Sequence, residues 1–204
     1  MIYLDFGSGE TCKNDVKYAF RMIDELPKTD KGIAIKWQLF TDIPPLTPLD
    51  REVYLRAREY AHEKGYKTGS SFFDRESLDF LLNHNADFVK MAARPHLYHL
   101  LEHIPPWMPM VISVPTFGWY VKIRAVYPNA TVLCCIADYP AVAAKYENAY
   151  GEALHYGISD HTTDWYLYNR YQPIEYECHY CLDDSTGPDA AEFARRPEDL
   201  EVIF

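Results

Sequence analysis

The sequence predicts an α/β fold, a closed barrel of eight parallel strands wrapped by helices, and three observations lead there. Eight short runs rich in β-branched and aromatic residues are spread along 204 residues. Amphipathic stretches with helical spacing fall between them, and a helical crossover makes consecutive strands parallel. Polar residues gather at the carboxyl ends of the runs, the face of such a barrel that carries chemistry. At about 25 residues per strand–helix unit, the chain lies near the lower size limit of the fold. The expectation is a compact (β/α)₈ TIM barrel, a single domain over 1–204, with some outer helices short or missing.

The first run is IYLDF (2–6), followed by the helical NDVKYAFRMIDEL (14–26). GIAIKWQ (32–38) is the second, and DIPPLTPLD (42–50) reads as a proline-stiffened loop. The helix LDREVYLRAREYAHEKG (49–65) stops at Gly65, because glycine adopts the left-handed cap at little cost. YKTGSSF (66–72) with RESLDFLLNHN (75–85), and FVKMAA (88–93) with HLYHLLEHI (96–104), form the next two units. MPMVISV (108–114), TVLCCIA (131–137), LHYGIS (154–159) and IEYECHYC (174–181) complete the strands. DWYLYNRYQ (164–172) is helix-spaced and suits the outer layer better than base stacking. Only RPEDLEVIF (196–204) remains for a last helix. The competing architecture, an open doubly wound sheet, usually opens on a Gly-rich phosphate turn; DFGSGE (5–10) lacks the final glycine.

A net charge of −10 leaves no footprint for nucleic acid, and the adjacent arginines Arg195 and Arg196 stand in an acidic tail beside Glu198 and Asp199. A small anion is still a suitable partner, since one or two lysines set the field inside a cavity. MIYLDFG shows no signal peptide, and no apolar run reaches membrane-spanning length, so the expected location is the cytoplasm. Five cysteines, an odd number and mostly in strands, suit reduced thiols. Cys178 and Cys181 match C-x-x-C, but on a strand they point to opposite faces and no second pair completes a zinc site.

The strand ends carry Asp5, Lys36, Gln38, Ser71, Lys90, Ser113, Ser159 to His161, Glu177 and His179. Alternation puts Lys36 with Gln38 on one face, and Glu175, Glu177, His179 and Cys181 in one row. Charges in a lumen must be paired or ligated, because a lone buried charge costs several kcal/mol. His161 and His179 lie on consecutive strands, so their imidazoles can reach one divalent ion, or can be hydrogen-bonded core histidines. For Lys36 and Lys90 the alternatives are anion binding, snorkelling to solvent, or pairing with Glu177.

In this order the residues resemble the N-acetylneuraminate (sialic acid) synthase family, in its catalytic barrel. The likeness rests on DFG, IKWQ, SFFDRESLDFL, FVKMA, VISV and CCIADYP, and most specifically on GISDHT, ECHY and GPDAAEF. It implies condensation of phosphoenolpyruvate with a sugar-like aldehyde and release of phosphate, in a possible homodimer. His161 and His179 would hold a divalent metal, usually Mn²⁺. Lys36 and Lys90 would grip phosphoenolpyruvate, with the hydroxyls of Ser71, Ser113 and Ser159. Asp160 would support the histidine loop; Gln38, Tyr139 and Asp189 would face the aldehyde. Asp5 stands where the family has glutamate, and SGET (8–11) where it has asparagine and histidine. Ala93 replaces a serine, Ala137 an asparagine and Cys134 a histidine. The sequence ends at Phe204, without the family's antifreeze-like domain. These departures imply an altered aldehyde or, alternatively, a binding or scaffold protein that has lost catalysis. A metal-dependent hydrolase is chemically allowed but lacks the usual further ligands.

Overall fold

The computed structural model describes residues 1–29, 32–40, 46–201 and 203. Strands β1 (Ile2–Asp5), β2 (Ile33–Gln38), β3 (Lys67–Ser71), β4 (Phe88–Met91), β5 (Met110–Val114), β6 (Thr131–Cys135), β7 (Gly157–Asp160) and β8 (Glu175–His179) form the wall. They close in chain order, every neighbouring pair parallel, with β8 returning to β1. The predicted barrel is thus the observed one.

Helices α1 (Val16–Asp24), α2 (Arg51–Glu63), α3 (Arg75–Asn83), α4 (Phe117–Val126), α5 (Ala143–Tyr150), α6 (Tyr166–Tyr171) and α7 (Pro197–Leu200) lie outside the wall. Asp15, Asp50, Asp74 and Thr116 cap the first four, each side chain accepting a first-turn N–H, so these polar residues serve the helices and not the lumen. Gly65, with φ of 87°, stops α2 as its sequence indicates. Of the DIPPLTPLD loop, residues 42–45 lie outside the described residues, as do 202 and 204 of the terminal stretch.

Three expectations are corrected. HLYHLLEHI is a 3₁₀ helix (Pro95–His103), not an α-helix; its buried Tyr98, Leu101 and Ile104 recur every third residue, the 3₁₀ period. The seventh strand begins at Gly157 and not at Leu154, because Gly151–His155 form a second 3₁₀ turn that buries Ala153 and Leu154. Arg195 is not in a solvated tail: it is 3% exposed, its backbone bridges to Tyr180 beyond β8, and its guanidinium lies 4.4 Å from the Trp165 ring. The cation–π contact and a 2.5 Å hydrogen bond to the Asp164 carbonyl offset the loss of water.

Alternation along the strands divides the lumen into layers. Tyr3, Ala34, Phe88, Val111 and Leu133 form a small apolar floor. Two residues further along the same strands stand Asp5, Lys36, Lys90, Ser113 and Cys135, lining a cavity above it. The opposite strand faces, including Leu4, Ile35, Trp37, Ile112, Ile158 and Tyr176, pack under the helices in the main core. All five cysteines are buried and unpaired, as expected.

Candidate active site

The cavity at the carboxyl end of the barrel has a volume of about 440 Å³. Every strand contributes: Asp5, Lys36, Gln38, Ser71, Lys90, Ser113, Cys135, Ser159, Glu177 and His179 line it, with His161 just beyond β7. Asp189 and Phe193 enter from the segment after β8, and Tyr139 stands half-exposed at the rim.

Asp5 is a hub. Its Oδ1 accepts from the Gly7 amide at 2.9 Å, and its Oδ2 accepts from Lys36 Nζ and, at 2.9 Å, from Gln38 Nε2. Gln38 Nε2 also donates to Asp189 Oδ1 at 3.0 Å, while Asp189 Oδ2 accepts from the Ser8 amide at 3.2 Å. His179 lies between the two carboxylates, Nε2 at 3.5 Å from Asp5 and Nδ1 at 3.3 Å from Asp189. Across the lumen, Lys90 Nζ and Ser159 Oγ both donate to Glu177 Oε1, at 2.7 and 2.8 Å. Glu177 Oε2 and Ser113 Oγ are buried without a partner.

These contacts shift the pKa values of the buried groups. Burial works against the Lys36 ammonium, but Asp5, Glu177 and Asp189 together outweigh it and raise its pKa. Burial likewise opposes ionised Glu177, and Lys90 and Lys36 overcome it, holding the carboxyl well below its ordinary range. His179 follows the same pattern: burial lowers its pKa, and Asp5 and Asp189 raise it above normal. His161 goes the other way, to about 3, because burial and the neighbouring His179 both disfavour its cation. Its Nδ1 is 2.8 Å from the Ile136 carbonyl, which only accepts, so Nδ1 carries the hydrogen and Nε2 keeps the lone pair.

That tautomer suits a metal ligand, since an imidazole fixed through Nδ1–H presents a basic Nε2. The His161 and His179 ring centroids are 5.4 Å apart. Asp5, His179 and Asp189 each offer a ligand atom, all within 4.8 Å of one another. A divalent ion of borderline softness fits this donor set of imidazole and carboxylate. The carboxylates go beyond the two histidines that the sequence indicated. A metal there would compete with protons for His179, because an imidazole binds a metal in its neutral form.

Of the residues predicted from sequence, Asp5, Lys36, Lys90, Gln38, Ser71, Ser113, Tyr139, Ser159, Asp189, His161 and His179 all line the cavity. Asp160 does not. It faces the outer layer, where Oδ1 accepts from the Thr162 amide at 2.7 Å and Oδ2 from the Tyr176 hydroxyl at 2.6 Å. Asp160 therefore stands outside the cavity and shapes the turn after His161. The row on β8 also breaks up: Glu177 and His179 face the cavity, while Glu175 lies at the barrel foot, 3.5 Å from the N-terminal amino group. Cys181, past the strand end, is buried against Arg196. Sequence reasoning passed over Arg94, Phe73 and Phe193, which lie on loops without periodicity. Glu177 was a visible member of the row and is a site residue in its own right.

The class so defined is a parallel (β/α)₈ barrel with a cavity of paired charges at its carboxyl mouth. No family model matches the chain, and no curated protein matches it. Solved structures do. An N-acetylneuraminic acid synthetase from Leptospira borgpetersenii, in complex with citrate, superposes with a TM-score of 0.82 at 19% identity, over 99% of this chain and 80% of that one. The spore coat polysaccharide biosynthesis protein SpsE of Bacillus subtilis gives 0.77 at 21% identity, over 100% of this chain and 65% of that one. A thiamine phosphate pyrophosphorylase from Pyrococcus furiosus gives 0.61 at 16% identity, over 99% and 94%. At such identities the likeness shows the fold.

Proposed function

We propose that this barrel is an enzyme of carbohydrate biosynthesis that condenses phosphoenolpyruvate with a sugar-like aldehyde and releases phosphate. The observation that carries the reading is the division of the cavity. Ser71, Lys90 and Ser113 stand on β3 to β5, while Asp5, His161 and His179 stand on or just beyond β1, β7 and β8, across the mouth. Support comes from the structural likeness to a synthetase that makes N-acetylneuraminic acid and to a spore coat polysaccharide biosynthesis protein.

His161 and His179, with Asp5 and Asp189 beside them, would hold a divalent metal such as Mn²⁺, which would supply Lewis-acid polarisation of the aldehyde carbonyl. The protein's own groups do the rest. Lys36 and Lys90 lie in a low-dielectric site, where they stabilise the phosphate and carboxylate more strongly than in water. Ser71, Ser113 and Ser159 offer hydroxyls to the same anion, and Gln38 and Tyr139 face the aldehyde. C3 of phosphoenolpyruvate attacks the carbonyl carbon, water adds to C2, and collapse of the tetrahedral intermediate expels phosphate. The unpartnered Glu177 Oε2 accepts a hydrogen bond from that water.

The test is inorganic phosphate release from phosphoenolpyruvate with Mn²⁺ and a panel of aldehydes including N-acetylmannosamine, with and without chelator. Chelator-sensitive release that Lys90→Ala abolishes is the expected result; its absence with every aldehyde overturns the reading. A second reading, a barrel that binds without turnover, is favoured by Ala93 and Ala137, which put methyl groups in the cavity wall. Under it phosphoenolpyruvate binds and no phosphate appears.

A further inference from the structure

The cations inside the cavity are already neutralised by the protein. Lys36 is paired with Asp5, Lys90 with Glu177 at 2.7 Å, and His179 lies within 3.5 Å of both Asp5 and Asp189. Such pairs present dipoles to a ligand and little net charge. Arg94 differs. It lines the cavity from the loop after β4, and among the described residues no carboxylate pairs with it. Its guanidinium carbon lies 4.9 Å from the centroid of the Phe73 ring, which also lines the cavity. A ring face holds the guanidinium plane and leaves its N–H edges free, the geometry that takes two oxygens of a phosphate or carboxylate at once.

The position along the wall points the same way. Arg94 follows Lys90 by four residues, and the residues between that reach the cavity, Ala92 and Ala93, bring only methyl groups. Ser71 pairs in register with Lys90, and Ser113 on the next strand has a buried hydroxyl without a partner. Lys90, Ser71 and Ser113 therefore share this side of the mouth with a positive charge that has no carboxylate partner among the described residues.

We propose that Arg94, stacked on Phe73, is the specificity-determining residue for the anionic group of the substrate, selecting a phosphate-bearing ligand at the β3–β5 side of the cavity. This deepens the phosphoenolpyruvate reading and rests on it for the identity of the ligand. Arg94 adds a charge at the rim to the anion site that Lys36 and Lys90 form deeper in the cavity. An arginine here is not interchangeable with lysine, which lacks both the planar fork and the stacking.

The experiment is calorimetric titration of the purified chain with phosphoenolpyruvate and, separately, inorganic phosphate, for wild type, Arg94→Ala, Arg94→Lys and Phe73→Ala. Thermal unfolding of each variant shows that it is folded, as expected for two partly exposed rim residues. Loss of a charge-assisted bidentate contact weakens binding about tenfold or more. Arg94→Ala should show that loss for both ligands, Arg94→Lys a smaller one, and Phe73→Ala an intermediate one. Unchanged affinity in Arg94→Ala overturns the proposal and leaves the condensation reading standing. If wild type binds inorganic phosphate through Arg94 but does not bind phosphoenolpyruvate, Arg94 stands and the condensation reading falls. If wild type binds neither ligand, both fall.

Discussion

Lys90 and Glu177 are 2% and 4% exposed, and they form a buried ion pair at 2.7 Å. Removing one partner of a buried pair leaves an uncompensated charge, at a cost of about 3–5 kcal/mol. Glu177→Gln keeps the volume and the Ser159 contact but strands the Lys90 ammonium, and urea unfolding should show destabilisation on that scale. A double variant, Lys90→Met with Glu177→Leu, should recover much of it, since replacing a buried pair by apolar groups is often close to neutral. Which residues reach this network was largely legible beforehand. Strand alternation puts Asp5, Lys36, Lys90, Ser159 and Glu177 on the lumen face, and the same rule places Asp160, one residue from Ser159, on the outside. Arg94, Phe73 and Phe193 were not legible, because a loop residue's direction is set by the turn that carries it and not by any repeat.

At the scale of elements, the strands were readable because β-branched and aromatic runs bounded by turns have few alternative homes in an α/β chain. The helices were less so: a 3₁₀ helix and an α-helix differ by about half a residue per turn, too little to separate over nine residues of HLYHLLEHI. The start of β7 was misplaced for a related reason, since LHY is apolar enough to extend the strand, yet Leu154 is buried from a 3₁₀ turn. Gly157 marks the true start. A Cβ there would lie 2.6 Å from the Val132 carbonyl oxygen and 2.9 Å from Leu133 Cδ2, so the glycine lets β7 close onto β6. Gly157→Ala should push β7 away from β6 and cost about 1–3 kcal/mol by overpacking, measured by chemical unfolding. The substitution Asp50→Ala tests an outer element instead: it removes the acceptor for the Glu52 and Val53 amides and should cost about 1 kcal/mol, with phosphoenolpyruvate binding unchanged.

The whole molecule is closed by one seam, the parallel pairing of β1 with β8. The candidate metal ligands straddle it: Asp5 ends β1, His179 ends β8 opposite it in register, and Asp189 comes from the segment beyond. An ion held there would join the first strand to the last and to the Asp189 segment, groups that come together only when the barrel has closed. Binding to the folded state alone stabilises by linkage, by about 2.7 kcal/mol when free metal is a hundred times its dissociation constant. For a chain of this size that corresponds to a rise of roughly 5–10 °C in unfolding temperature. Scanning calorimetry with Mn²⁺ should show the rise and chelator should reverse it. His179→Ala should abolish it, because the residue is the central member of the donor set. Arg94→Ala should retain it in full, because the anion side of the cavity lies across the lumen from the seam. A rise that survives His179→Ala would place the ion elsewhere, and equal loss in both variants would mean that the two halves of the mouth are not separable.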